Sequence, residues 1–163
     1  MNFLYLKEKA FEALENKRYH MLKQILQDMN PADLAVIFSE LDKNDIYIVF
    51  RLLPKELSAE TFSYMDSEMQ KHLIDIFSDK ELSEVIDQLY IDDTVDLVEE
   101  MPANVVSRIL KNADTETRKM INEMLKYPND SAGSIMTVEY TYLHKDMTVR
   151  QSIEKISSIG CVK

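Results

Sequence analysis

The stretch IDDTVDLVEEM, Ile91 to Met101, sets five carboxylates within eleven residues. On a helix, Asp92 and Asp93 fall within one turn of Asp96, and Asp96 falls within one turn of Glu99 and Glu100. Val95, Leu97, Val98 and Met101 supply the opposite, apolar side. Two like charges about 5 Å apart repel by roughly 1 kcal/mol in water and about 3 kcal/mol at an effective dielectric near 20. A divalent cation relieves that repulsion. Mg2+ takes oxygen ligands and keeps several waters, so one or two carboxylates per ion suffice. The pattern also has a reading without an ion. Acidic residues are favoured near helix N-termini, and charge runs commonly form a solvated face.

The ridge belongs to a wider acidic block. From Asp79 to Glu100 nine carboxylates stand against one lysine, Lys80, in a chain of formal charge −10. That balance argues against nucleic acid or an anionic membrane surface as partner, since both would be repelled. Other chemistry has little support. Gly133 and Gly160 are the only glycines, so no Gly-rich phosphate loop exists, and His20, His72 and His144 are far apart with no HExxH spacing or Cys pair. The expectation is a protein that is not an enzyme.

A single cysteine, Cys161, excludes an internal disulfide framework and fits a reducing compartment. The longest apolar runs, Leu34 to Phe38 and Ile46 to Phe50, are far short of the roughly 18 residues of a membrane span. The ten methionines could form a helix-binding surface, but Met65, Met101 and Met124 fall on apolar columns and read as core.

Those columns define the elements that must carry the ridge. A shift of 24 residues aligns Phe38, Phe62, Ile86 and Leu110, and likewise Leu41, Met65, Leu89 and Ala113. Val49, Leu73, Leu97 and Ile121 follow in register, as do Leu53, Phe77, Met101 and Leu125. Asp42, Asp66 and Asp114 share a polar column in which Tyr90 is the exception. Each unit reads as two short helices: Leu34, Ile37, Phe38 and Leu41 carry i, i+3, i+4, i+7 spacing in the first, and Ile46, Val49, Phe50 and Leu53 mark the second.

Asp or Ser in the intervening turn can cap the second helix, as in Ser67-x-x-Gln70, and Ser78-x-x-Glu81 resembles a capping box for a first helix. Pro31, Pro54 and Pro102 are expected at first helical positions. Helices of about nine residues are unstable alone, so the units must stack. The expected fold class is all-α, a right-handed superhelix or solenoid of helical pairs from Pro31 to Tyr127. Leu14, Ile25 and Met29 extend the columns backwards into a degenerate fifth copy or cap. Glu60 and Glu84 occupy one repeat position and could flank the ridge.

The pattern breaks at Tyr127. After Pro128 and Gly133, the run Thr137 to Leu143 is rich in β-branched and aromatic residues and predicts a strand. His144 to Asp146 predicts a turn. Val149, Ile153 and Ile156 then predict a helix that Asp146 or Thr148 could cap.

Two stretches carry a family resemblance. Asp92-Asp93-Thr94-Val95-Asp96-Leu97 followed by Glu99-Glu100-Met101-Pro102 is similar to the DDxxDLLEELP stretch of MgtE-type magnesium transporters and channels. Tyr127-Pro128-Asn129-Asp130-Ser131-Ala132-Gly133-Ser134-Ile135-Met136-Thr137 resembles that family's YPxDSAGxxMT junction. The resemblance implies a superhelical N domain over residues 1–127, a junction over 128–134, and the opening strand and helix of a first CBS domain over 135–163. It further implies a CBS pair, a transmembrane pore, a homodimer, and a cytoplasmic position for this part of a cell-membrane protein.

Mg2+ bound between the N domain and the CBS domains would hold the assembly compact and the pore closed. Carried onto matching positions, Asp92 and Asp96 are the leading metal ligands, with Asp93 as a neighbour and Glu60 resting on the alignment offset. The sequence departs from the family at Tyr90 and Ile91, where an Asp-Pro pair often precedes the acids. One ligand is thereby absent and the helix start is less firmly set. Alternative classes are a helical scaffold that binds another protein, as solenoids commonly do, and a nucleotide sensor acting through CBS domains.

Overall fold

The computed structural model describes residues 3–128 and 131–159, so Asn129, Asp130, Gly160 and Cys161, named above, lie outside the described residues. Among the described residues ten helices precede the junction: α1 (Phe3–Glu15), α2 (Tyr19–Leu26), α3 (Pro31–Ser39), α4 (Lys43–Phe50), α5 (Lys55–Ser63), α6 (Ser67–Ile76), α7 (Asp79–Ile86), α8 (Ile91–Glu100), α9 (Ala103–Asn112) and α10 (Thr115–Met124). An eleventh, α11 (Val149–Ile159), follows it.

The 24-residue period is kept at the level of backbone. α3, α5 and α7 begin at 31, 55 and 79 and α9 at 103, while α4, α6, α8 and α10 begin at 43, 67, 91 and 115. First helices pack on first helices, α3 on α5, α5 on α7 and α7 on α9. Second helices pack likewise, α4 on α6 and α8 on α10. Two rows result, with the apolar columns between them. Phe38, Phe62, Leu73 and Ile121 are wholly buried, and Leu41, Leu110 and Leu125 pack on the same core. α1 and α2 form a further pair on each other, and Met29 is buried while Leu14 and Ile25 lean on the core.

Side-chain caps start α3, α6, α7 and α10, whereas Asp42 before α4 makes no side-chain cap bond, and two of the prolines are shifted. Pro31 is the first residue of α3, behind Asn30, whose side chain accepts from Ala32 N. Pro54 and Pro102 instead occupy the cap positions of α5 and α9, one residue earlier than expected. Their backbone is extended there, at ψ of 152° and 149°, which a fixed proline φ accommodates equally well. Ser78 and Glu81 form the expected reciprocal capping box. α6 is capped by Asp66, whose carboxylate accepts from Met69 N at 2.8 Å. Ser67 and Gln70 do other work: Ser67 Oγ donates to Glu100, and Gln70 Nε2 donates to Phe62 O at 2.9 Å.

Rows are cross-tied by long side chains. Arg108 on α9 donates to the carbonyls of Ile74 and Phe77 at the end of α6 and to Asp79 Oδ1 at the start of α7. One cation thereby satisfies carbonyls that a helix end leaves unpaired.

The strand expected over Thr137 to Leu143 does not form; residues 136–144 carry neither helix nor strand pairing. A strand is defined by a ladder, and among the described residues no segment pairs with this one. The turn and helix that follow match the sequence pattern. Met147 N bonds to His144 O, and Thr148 caps α11 reciprocally with Gln151. Val149, Ile153 and Ile156 remain 76%, 59% and 49% exposed, an apolar stripe without a covering element among the described residues.

Candidate functional site: an acidic helix and the junction docked on it

α8 holds its apolar side in the core through Ile91, Thr94, Val95, Leu97 and Val98, and this fixes where the acids point. Thr94 is fully buried, and its hydroxyl donates back to Tyr90 O at 2.9 Å. Asp92 and Asp93 stand in the first turn, half-buried, while Asp96, Glu99 and Glu100 face solvent. Asp92 Oδ1 is buried and has no hydrogen-bond partner among the described residues. A carboxylate oxygen in that state is costly, because desolvation is uncompensated.

The neighbouring carboxyls feel the same crowding. Partial burial, then the charges of Asp92, Asp96 and Glu139, push the Asp93 carboxyl above the ordinary aspartate range. Asp96, more open to water, is also pushed up, by residual desolvation and then by Asp92 and Glu100. No counter-cation is among the groups acting on either.

Glu139 is the member that sequence reasoning missed. Its Oε2 accepts from the backbone N–H of Ile91 at 2.6 Å, across 48 residues of chain. Tyr90 occupies the cap position of α8 and makes no side-chain cap bond. The only sequence signal was indirect, the interruption of the aspartate column at Tyr90. The junction reaches α8 by a compact route. Gly133 lies against the ring of Tyr127, so close that a Cβ there would come within 2.3 Å of Cδ1. Ser131 and Ser134 close a turn through Ser134 Oγ to Ser131 O at 2.9 Å, and Val138 packs on the core beside Glu139.

Of the four anticipated ligands, α8 brings Asp92, Asp93 and Asp96 together. Glu60 is exposed on α5, in the other row, and its charge is not among those acting on Asp93 or Asp96. Glu84, its repeat equivalent on α7, is engaged by Lys55 at 3.4 Å and Lys80 at 3.9 Å. Among the described residues no three acidic, histidine or cysteine side chains converge as a metal-holding group. The donor set is nonetheless hard oxygen, with one buried oxygen unsatisfied. It fits an ion that takes one or two carboxylates here and fills its remaining positions with water or with ligands from elsewhere.

An all-helical stack of pairs with an acidic second-row helix defines the class, and comparison with known proteins gives the family. The family described as the MgtE intracellular N domain matches residues 29–130. The chain therefore belongs to the MgtE family, as an intracellular N domain. It is 31% identical over 144 residues to the magnesium transporter MgtE of Thermus thermophilus, covering 86% of this chain and 32% of that protein. It is 21% identical over 147 residues to magnesium transporter MgtE of Bacillus subtilis, covering 90% and 33%. The chain thus spans about a third of the length of these relatives.

Among solved structures, the cytosolic domain of the Mg2+ channel MgtE in complex with ATP superposes with a TM-score of 0.79 at 30% identity, covering 91% of this chain and 61% of that one. The soluble part of a magnesium transporter superposes at 0.84 with 19% identity, covering 96% and 62%, and supports the fold alone. Among the described residues no helix is long and apolar enough to cross a membrane.

Proposed function

We propose that this chain is the Mg2+-sensing regulatory part of a magnesium transporter or channel, with no catalytic role. Bound Mg2+ screens α8 where it faces a CBS pair, which compacts the assembly and favours a closed pore. When free Mg2+ falls, carboxylate repulsion loosens that contact. Asp92 and Asp96 are the ligands, Asp93 contributes charge beside them, and Glu60 is a more distant contributor carried by resemblance. The observation that carries this reading is Asp92 Oδ1, a buried carboxylate oxygen without a partner among the described residues, beside two carboxyls whose ionisation is opposed.

In this reading the helical pairs wind into a right-handed superhelix over residues 1–127, residues 128–134 are the junction, and residues 135–163 open the first CBS domain of a homodimer. The uncovered stripe of Val149, Ile153 and Ile156 supports that last assignment, since a CBS domain would bury it. The pore belongs to the same longer chain. Similarity to MgtE transporters supports the placement.

Millimolar Mg2+ should raise the melting temperature of the chain extended through both CBS domains, because a ligand that binds only the folded state stabilises it. Asp92→Asn with Asp96→Asn should remove most of that rise; an equal rise in the double variant would sink the assignment. A nucleotide-sensing role for the CBS domains is a second reading, supported by the ATP complex of the structural relative. ATP should then raise the melting temperature of the extended chain in the double variant as well; an absent shift counts against it.

A further inference from the structure

The second helices of the repeat share one cap column, and at one place its aspartate is replaced. Asp42, Asp66, Tyr90 and Asp114 are the cap residues of α4, α6, α8 and α10. Asp66 accepts from Met69 N, and Asp114 accepts from Glu116 N and Thr117 N at 2.7 and 3.1 Å. The helix that carries the densest acids is the one given a tyrosine. There the N–H of Ile91, the first helical donor and one that the aspartates of α6 and α10 do not reach, donates to Glu139 Oε2 at 2.6 Å. A carboxylate is a suitable acceptor, since it meets both the unpaired N–H and the positive end of the helix dipole. Glu139 arrives with anchoring of its own: Val138 packs on the core, and Gly133 lies against the ring of Tyr127.

Asp93 stands one helix turn away as a like charge, and Glu139 is the smallest of the influences that raise its carboxyl, after burial, Asp92 and Asp96. The bond and the repulsion share one helix turn. We infer that Glu139 is a latch, a positioning residue that caps α8 from outside the repeat and docks the junction on the acidic helix, strengthened when a divalent cation neutralises Asp92 and Asp93 and weakened when it leaves. The cation half of this inference rests on the Mg2+ reading above, while the capping half does not. In consequence the segment leading to residues 135–159 is held or released at the site where the ion would bind, with no rearrangement of the helical stack.

The experiment is amide hydrogen exchange at Ile91, read by NMR on the full chain, with the α3 and α5 amides as internal references. Without divalents, Glu139→Ala should speed Ile91 exchange about five- to tenfold, the effect of losing one helix cap. Glu139→Gln, which keeps an acceptor oxygen, should stay near wild type. Tyr90→Asp in the Glu139→Ala background should protect the Asp92 and Asp93 amides through a local cap, as Asp114 does for Glu116 and Thr117, while the Ile91 amide remains fast. Asp93→Asn should slow Ile91 exchange in the wild-type background, and millimolar Mg2+ should do the same.

Unchanged Ile91 exchange in Glu139→Ala overturns the latch. Wild-type Ile91 exchange indifferent to Mg2+ overturns its control by cation. The Mg2+ reading itself is scored separately, by the melting shift and its loss in the Asp92 and Asp96 double variant, so the two failures are distinguishable.

Discussion

The hydroxyl of Tyr47 donates to Glu81 Oε1 at 2.8 Å, tying α4 of one repeat unit to α7 two units further along in sequence. Glu81 also accepts from the Ser78 backbone N–H and hydroxyl, at 2.9 and 2.7 Å, and lies 3.6 Å from Arg51. Tyr47 stacks at a tilt on Phe77 and carries Arg51 over its ring. A capping residue thereby doubles as a cross-tie, and the cleft around it, about 640 Å³, is bordered by Lys55, Lys80 and Glu84.

The tie has a pH signature. The hydrogen bonds from Ser78, then that from Tyr47, hold the Glu81 carboxyl below the ordinary range. A carboxyl lowered on folding contributes stability that is present above its unfolded value, about 4.3 for glutamate, and lost as pH falls through the folded value. Tyr47→Phe should lower the melting temperature at neutral pH by about 2–4 °C and flatten the acid limb of the stability profile. A Tyr47→Phe acid limb that superposes on wild type would exclude the tie as its source.

Asp93 and Asp96 have the opposite sign. Burial and neighbouring carboxylates raise both above the ordinary range, so their ionised forms oppose folding at neutral pH and protonation relieves the strain as pH falls through the raised values. Asp93→Asn should therefore raise the melting temperature at neutral pH without divalents, by a few degrees. The gain should shrink in high salt, which screens exposed charge. A calorimetric series in NaCl checks both; a loss of stability in the Asp93→Asn variant at low salt would contradict the electrostatic account.

The capping column separates residues of identical type. Asp66→Ala and Asp114→Ala each remove a cap that accepts backbone N–H groups and should each cost about 1 kcal/mol. Asp42 occupies the same column but makes no side-chain cap bond, so Asp42→Ala should cost far less. Urea midpoints of the three variants test the ranking, and equal losses would show that the column acts through charge alone.

Lys17 provides a test of backbone strain. It joins α1 to α2 with φ of 54°, a left-handed conformation that costs an L-residue roughly 1–2 kcal/mol and glycine almost nothing. Part of that relief is offset by the greater entropy of glycine in the unfolded chain. Lys17→Gly should still raise stability, by about 0.5–1 kcal/mol, measured by thermal or urea unfolding; a destabilised variant would show that the lysine side chain contributes more than its backbone costs.

What the sequence by itself determined is the repeat. Apolar columns at a 24-residue shift, short helices too weak to stand alone, and a proline or capping residue at most starts specify element type and order, because periodicity and capping are local properties. The acidic ridge was legible for the same reason, since i, i+3 and i, i+4 spacing fixes a helix face without knowledge of its neighbours. The proline positions were legible only to within one residue, since cap and first-turn sites both accept a fixed φ.

Tertiary structure decided everything that needed a partner distant in sequence. Thr137 to Leu143 has the composition of a strand, yet a strand exists only where another pairs with it, and among the described residues none does. Arg108 on the carbonyls of Ile74 and Phe77, Tyr47 on Glu81 and Glu139 on Ile91 join residues 31 to 48 positions apart, and no local spacing announces such pairs. The same holds for Asp92: its place on the ridge follows from spacing, but the burial of Oδ1 follows from how α8 is seated, which only packing sets.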